Sequence, residues 1–198
     1  MNNRKDLVSW LAGNLKKTRF KHVMGVLEVA LELAEAHGVS KEKAETAALF
    51  HDYAKNFDDE AMLRYVNEKN LHDEHLTICG SINLYHGIVA ASIAEKKYGV
   101  QDQDILSAIR NHTFGRAGMS KLEKIIYLAD IIEISRDFEG VDEIREKAFL
   151  DLDQALIKAI DKTLLYLIGK GEVININTIY ARNDLLAENV KCIKKGGV

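Results

Sequence analysis

The sequence predicts an all-α protein, a single helical bundle. Apolar residues recur at helical spacing along most of the 198 residues. Proline is absent, so nothing of that kind interrupts a helix, although its absence permits long helices without proving them. Glycine and short polar residues punctuate the periodic stretches where helices stop and start.

Taken in order, Val23, Val26, Leu27, Ala30 and Ala34 make one apolar face, and His22 opens that helix after Arg19 and Phe20. Gly38 ends it. Ser40 caps the next helix, expected over about 41–55, with Lys43 where a capping box would want Glu. Asp58 caps a third that runs through Met62, Leu63 and Val66. The stretch 71–83 is irregular and reads as a loop with short turns. His86 opens a further helix, with Ala90, Ile93 and Lys97 on its face and Gly99 as its stop. A helix over 101–111 ends near His112, and the glycine-containing segment 112–118 is a loop. Ser120 starts a strongly apolar helix, with Glu123 at the capping-box position. One or two helices fill 141–167, closed by Gly169 and Gly171. Val173-Ile174-Asn175-Ile176-Asn177 alternates in polarity and is either a short extended segment or a loop. Thr178 or a neighbour begins a last helix that ends in Lys194-Lys195. No repeat, linker or low-complexity block divides the chain.

The composition, 47% hydrophobic and 29% charged, is that of a soluble globular domain. A net charge of -3 gives no pull toward nucleic acid or an anionic membrane, and neither is expected as a partner. Cys79 and Cys192 have no CxxC spacing, which suits a reducing cytoplasm. No signal peptide or membrane-spanning run is seen. Trp10 and Leu11 on the first helix could cover the core or a second copy in a homodimer.

Six residues carry the chemistry. His51-Asp52 ends an apolar, Ala-rich helical stretch. Asp130 lies in Ile125-Ile126-Tyr127-Leu128-Ala129-Asp130-Ile131-Ile132, with Ile126 and Ile134 four residues to either side. Imidazoles and carboxylates are rare in such runs, because burying them is costly without a partner. Each has a plainer reading: a helix-terminal polar pair for His51-Asp52, a buried ion pair for Asp130, hydrogen-bonded structural histidines for His22, His86 and His112. Together they offer nitrogen and oxygen ligands without thiolate. That set suits iron, manganese, zinc, nickel or cobalt, and its size suits two ions better than one. His37, His72 and His75 sit in polar surroundings and read as solvated, with His72 and His75 as candidates for a lid.

The ordered segments Arg19-Phe20-Lys21-His22, His51-Asp52-Tyr53-Ala54-Lys55, Tyr85-His86-Gly87, Arg110-Asn111-His112-Thr113, Tyr127-Leu128-Ala129-Asp130 and Ser135-Arg136-Asp137-Phe138-Glu139-Gly140 resemble the HD superfamily of metal-dependent phosphohydrolases, in its bacterial YqeK-like branch. The resemblance runs from about His22 to Asn183. It implies one HD domain over 1–198, with a core at about 18–135 and helices of about 141–195 packed on it. It also implies symmetrical hydrolysis of diadenosine tetraphosphate to two ADP at a di-iron centre, by a hydroxide bridging the ions. One ion would be held by His22, His51, Asp52 and Asp130, the other by Asp52, His86 and His112. Nucleotide contacts are implied for Asp52, Tyr53, Ala54, Lys55, Thr113, Arg136 and a loop around Val173 to Thr178, and extend to the ligands His22, His86, His112 and Asp130. Lys55 would act as a point charge on phosphate and Arg136 as a bidentate clamp, with Asp52, Lys55 and Arg136 forming the catalytic group. Lys55 and Arg136 could equally be solvated charges, and Arg136 a cation closing the helix of Asp130. Arg182 and Asn183 read as ties between the last helix and the core. Two alternatives stand beside this reading. One is another HD nucleotide phosphohydrolase, such as a nucleotidase or guanosine-tetraphosphate hydrolase. The other is a metal-binding nucleotide sensor with little turnover.

Overall fold

A computed structural model describes residues 4–195, with side chains as far as residue 188. The side chains of Cys192, Lys194 and Lys195 lie outside the described set. Among the described residues there are eleven α-helices and no strand. They are α1 (Arg4–Asn14), α2 (Lys17–Ala36), α3 (Lys41–Phe50), α4 (Asp59–Lys69), α5 (Glu74–Ile78), α6 (His86–Tyr98), α7 (Gln103–Asn111), α8 (Lys121–Ile132), α9 (Val141–Leu150), α10 (Leu152–Lys170) and α11 (Ile176–Lys195). Two 3₁₀ turns, Tyr53–Asn56 and Ile82–Tyr85, complete the chain. None of the described helices is long and apolar enough to cross a membrane.

Helix α8 is the hub, packing against α2, α3, α7, α9 and α10. Its sequence explains the position: Leu122, Ile125, Ile126, Tyr127, Leu128, Ala129 and Ile132 are all buried, so apolar side chains surround it. The Ser120 hydroxyl accepts from the Glu123 N–H while the Glu123 carboxylate accepts from the Ser120 N–H, which closes a capping box. Glu123 is also buried against Arg116 and Asn111, both donating to it. One carboxylate thus fixes the start of α8, the end of α7 and the loop between them.

Several boundaries differ from the sequence reading. Helix α2 begins at Lys17, which puts His22 in its second turn rather than at its mouth. Helix α3 stops at Phe50, five residues short of the expected end, because the chain tightens into a 3₁₀ turn after Asp52. Helix α7 starts at Gln103, after the Asp102 side chain accepts from the N–H groups of Asp104 and Ile105. The stretch 71–83 holds a short helix, α5, capped by Asp73, and part of a 3₁₀ turn. Gly169 lies inside α10, and Gly171 closes it in the left-handed conformation, φ +68°. The alternating run at 173–177 is a loop that enters α11 at Ile176. Helix α8 ends at Ile132, so Ile134 is exposed and shares no helical face with Asp130. His37 is not simply solvated, since its Nε2 donates to the Ala148 carbonyl at 2.6 Å. Trp10 stacks on Tyr53 with ring centroids 4.1 Å apart, and Leu11 is buried, so both serve the core. Arg182 Nε pairs with Asp161 and ties α11 to α10.

Candidate metal centre

Four buried histidines converge through the same ring atom. His51 Nδ1 is 2.6 Å from the Ala48 carbonyl, His86 Nδ1 2.8 Å from that of Asn83, and His112 Nδ1 2.8 Å from that of Ile109. A carbonyl can only accept, so each Nδ1 carries the proton and each Nε2 keeps its lone pair. The pattern has a local cause. Each histidine follows the end of a helix or 3₁₀ turn, where carbonyls three residues back lack intrahelical partners. His22 reaches the same state differently, with Nδ1 3.1 Å from Glu133 Oε1.

The Nε2 atoms then face one another and two aspartates. His22 Nε2 and His51 Nε2 are buried without a hydrogen-bond partner. His86 Nε2 lies 3.0 Å from His112 Nε2, and the Thr113 hydroxyl is 3.2 Å from both. Asp52 divides its two oxygens. Oδ2 lies 3.7 Å from both His22 Nε2 and His51 Nε2, while Oδ1 lies 3.5 Å from His86 Nε2 and 3.9 Å from His112 Nε2. Asp130 Oδ1 stands 3.1 Å from His22 Nε2. Ligand atoms of His22, His51 and Asp130 fall within 4.8 Å of one another, as do those of Asp52, His86 and His112. Orphaned nitrogens, facing lone pairs and a split carboxylate are what a pair of cations would satisfy, so the residues fit a divalent metal centre.

Two close approaches hold this arrangement. A Cβ on Gly25 would lie 2.7 Å from Glu133 Oε2, so a residue without a side chain on α2 makes room for the carboxylate that holds His22. Glu133 is further fixed by the backbone N–H and hydroxyl of Ser135. A Cβ on Gly87 would lie 2.7 Å from the Arg110 carbonyl, so a glycine lets the start of α6 press on the end of α7 and brings His86 to His112.

The electrostatics follow from burial and neighbours. Burial drives His51 down to about 4 and His86 down to about 3, keeping both neutral at pH 7. Burial also pushes His22 down, but the Asp130, Glu133 and Asp52 carboxylates outweigh it and leave it above its ordinary value. For Asp52 burial works upward, yet the surrounding imidazoles hold it well below the usual carboxylate range. Asp130 is likewise held well down, its desolvation overcome by His22, His51, His112 and Arg136. Burial lowers the Lys55 ammonium despite nearby Asp52.

Among the expected nucleotide contacts, Lys55 Nζ lies 3.3 Å from His86 Nδ1, and Thr113 touches both imidazoles. Arg136 donates to Asp130 twice, Nε to the carbonyl and Nη2 to Oδ1 at 2.6 Å. It therefore closes the helix of Asp130 and at the same time holds a carboxylate of the cluster. Tyr53 and Ala54 are buried beside Asp52. Val173 is exposed and Thr178 buried, and among the described contacts neither joins the cluster. His75 lies on α5 and His72 in the irregular stretch before it, and neither is among the cluster's contacts. Two residues escaped the sequence reading. Glu133 carried a signal, a carboxylate within Ile131-Ile132-Glu133-Ile134. Arg19, 2.7 Å from Asp52 Oδ2, carried none beyond its place in the first matched segment.

Comparison with known proteins agrees with this geometry. The HD domain family matches residues 19–135. The chain is 42% identical over 185 residues to the symmetrical bis(5'-nucleosyl)-tetraphosphatase of Bacillus subtilis, covering 93% of this chain and 98% of that one. It is 40% identical to the protein of the same name in Halalkalibacterium halodurans, covering 94% and 98%. The solved structure of a predicted HD superfamily hydrolase involved in NAD metabolism, from Clostridium acetobutylicum, superposes with a TM-score of 0.90 at 39% identity, covering 95% of this chain and 99% of that one.

Proposed function

Because this chain belongs to the HD domain family, we propose that it is a metal-dependent hydrolase that cleaves diadenosine tetraphosphate symmetrically into two ADP. The observation that carries the reading is the division of Asp52, one oxygen toward His22 and His51 and the other toward His86 and His112. Similarity to two symmetrical tetraphosphatases over nearly their whole length supports the substrate.

On this reading His22, His51, Asp52 and Asp130 hold one ion, and Asp52, His86 and His112 hold a second. Iron is the proposed metal because the family resemblance implies it, and the imidazole and carboxylate ligands accept it as they would manganese, zinc, nickel or cobalt. When bound, such ions supply charge neutralisation on phosphoryl oxygens and activation of a water nucleophile. The chain's own groups do the rest. Lys55, half-buried beside His86, presents a positive charge to a phosphate. Arg136, partly exposed, can turn its fork from Asp130 to a phosphoryl group while its backbone stays fixed by the Glu133 carbonyl. The Thr113 hydroxyl is placed to donate to a phosphate oxygen at the His86–His112 end. The bond broken joins the central bridging oxygen to one of its two phosphorus atoms. Water oxygen is added to that phosphorus, and the bridging oxygen leaves with the other ADP. The proposed compartment is the cytoplasm.

The test is direct. Purified protein of assayed metal content is incubated with diadenosine tetraphosphate beside an Asp52→Ala sample, and products are separated by ion exchange. ADP alone, absent with the variant, is expected. AMP with ATP would overturn symmetrical cleavage. No turnover with iron or manganese supplied would point to another nucleotide or to a sensor.

A further inference from the structure

Two cavities of different character are lined by residues that neighbour the cluster residues in the chain. A small one, lined in part by Leu84, Arg110, Asn111, Phe114 and Asn177, adjoins residues next to His86 and His112. A larger one of about 550 Å³ adjoins Asp130 through Ile131 and Arg136. That volume is in the range of small-ligand sites. We propose that this second cavity, between Phe138 and Tyr166, binds the second nucleoside of a dinucleoside polyphosphate, an inference that rests on the hydrolase reading above.

A substrate cut at its central oxygen extends equally far to either side of that oxygen. If one nucleoside lies between Thr113 and the loop that enters α11, the other must run past Asp130. Arg136 spans that passage, bonded to Asp130 on one side and lining the cavity on the other. Beyond it stand two aromatic side chains that the core does not use. Phe138 is 37% and Tyr166 63% exposed, and flat faces of this kind stack on a purine. Lys170 Nζ sits 5.8 Å over the Tyr166 ring, which helps hold it in place. The cavity also has charge suited to a nucleotide. Lys162 packs its stem against the turn at Gly140, where a Cβ would come within 3.2 Å of Lys162 Cε. Its ammonium can meet a phosphate, and the Glu139 carboxylate can accept from ribose hydroxyls.

The experiment uses the full chain loaded with metal and a diadenosine tetraphosphate analogue. The analogue carries photoreactive azido groups on both bases and a methylene in place of the central bridging oxygen. Label is expected on two peptide sets, one from 103–121 or 172–188 and one from 138–170, with protection by excess unmodified dinucleotide. Phe138→Ala combined with Tyr166→Ala should abolish only the second label and weaken dinucleotide binding about tenfold, while ADP affinity at the first site stays within about twofold. Label confined to the first set overturns the proposal. So does unchanged dinucleotide affinity in the double variant, including the case where sedimentation shows a changed oligomeric state and the cavity belongs to a contact between copies. A wild-type protein that labels at both sets but yields no ADP from diadenosine tetraphosphate would leave this site standing and remove the hydrolase reading.

Discussion

His22 Nδ1 and Glu133 Oε1 lie 3.1 Å apart, the only one of the four imidazole anchors in the cluster made to a side chain rather than a backbone carbonyl. The other three anchors are built into helix ends, so no substitution of a side chain can delete them. This one can be deleted. Glu133→Gln keeps the shape but weakens the hold on the His22 proton, and Glu133→Ala removes it. Losing the hydrogen bond that orients a metal-binding imidazole costs about 10–100-fold in metal affinity. Titration of the metal-free variants with a divalent ion should show that loss for one ion and not the other.

That dependence also marks what the sequence could and could not tell. His22, His51, Asp52, His86, His112 and Asp130 were legible because each interrupts or flanks an apolar run, where a polar side chain needs a reason. Their division into two groups was not legible from spacing, since it depends on which oxygen of Asp52 faces which histidine. The helix caps at Ser40, Asp58 and Ser120 were readable from single residues because a cap is a local bond. Glu133 was missed because its role rests on Gly25, over a hundred residues earlier in the chain. The end of α3 and the start of α7 were missed because a 3₁₀ turn and an Asp cap shift a boundary without changing the apolar period.

The two close-packed glycines should respond differently to alanine. At Gly87 the obstacle is the Arg110 backbone carbonyl at 2.7 Å, with the Ile109 carbonyl at 3.1 Å, so α6 and α7 must separate. Overpacking of that kind costs about 1–3 kcal/mol. At Gly25 the obstacle is the Glu133 carboxylate, which can move, so Gly25→Ala should mainly displace Glu133 and weaken metal binding. Thermal melts of metal-free protein should therefore separate the pair, with Gly87→Ala lower.

Asp52→Asn keeps the side-chain volume but removes the charge shared by both histidine pairs. Both ions should bind at least tenfold more weakly, and hydrolysis should fall with them. Asp130→Asn should weaken only the ion on the His22 and His51 side. Metal analysis after gel filtration, read beside activity, distinguishes the two patterns.

The metal-free fold should lose stability on acidification in a defined window. His51 and His86 titrate at about 4 and about 3 when folded, against 6.5 when unfolded. Below about pH 6.5 the unfolded chain takes up protons that the fold refuses, so their contribution falls as pH drops toward 4 and 3. His22 works in the opposite sense. Its folded value is raised, so its contribution is full below 6.5 and is lost as pH rises through that higher value. Asp52, Asp130 and Glu133 are held low, so they stabilise above the ordinary carboxylate range and lose that effect as pH falls below it. Melting temperature should thus rise modestly as pH falls through the raised His22 value toward 6.5 and then decline toward pH 4. His51→Gln should flatten part of the decline.

The ligands come from the second turn of α2, the end of α3, the start of α6, the end of α7 and the last turn of α8. No fragment of the bundle carries a complete set for either ion, so occupancy is a readout of global assembly. The same linkage runs in reverse. On the proposed reading a chelator should act as a denaturant of modest strength, because ions held here would tie five helices together.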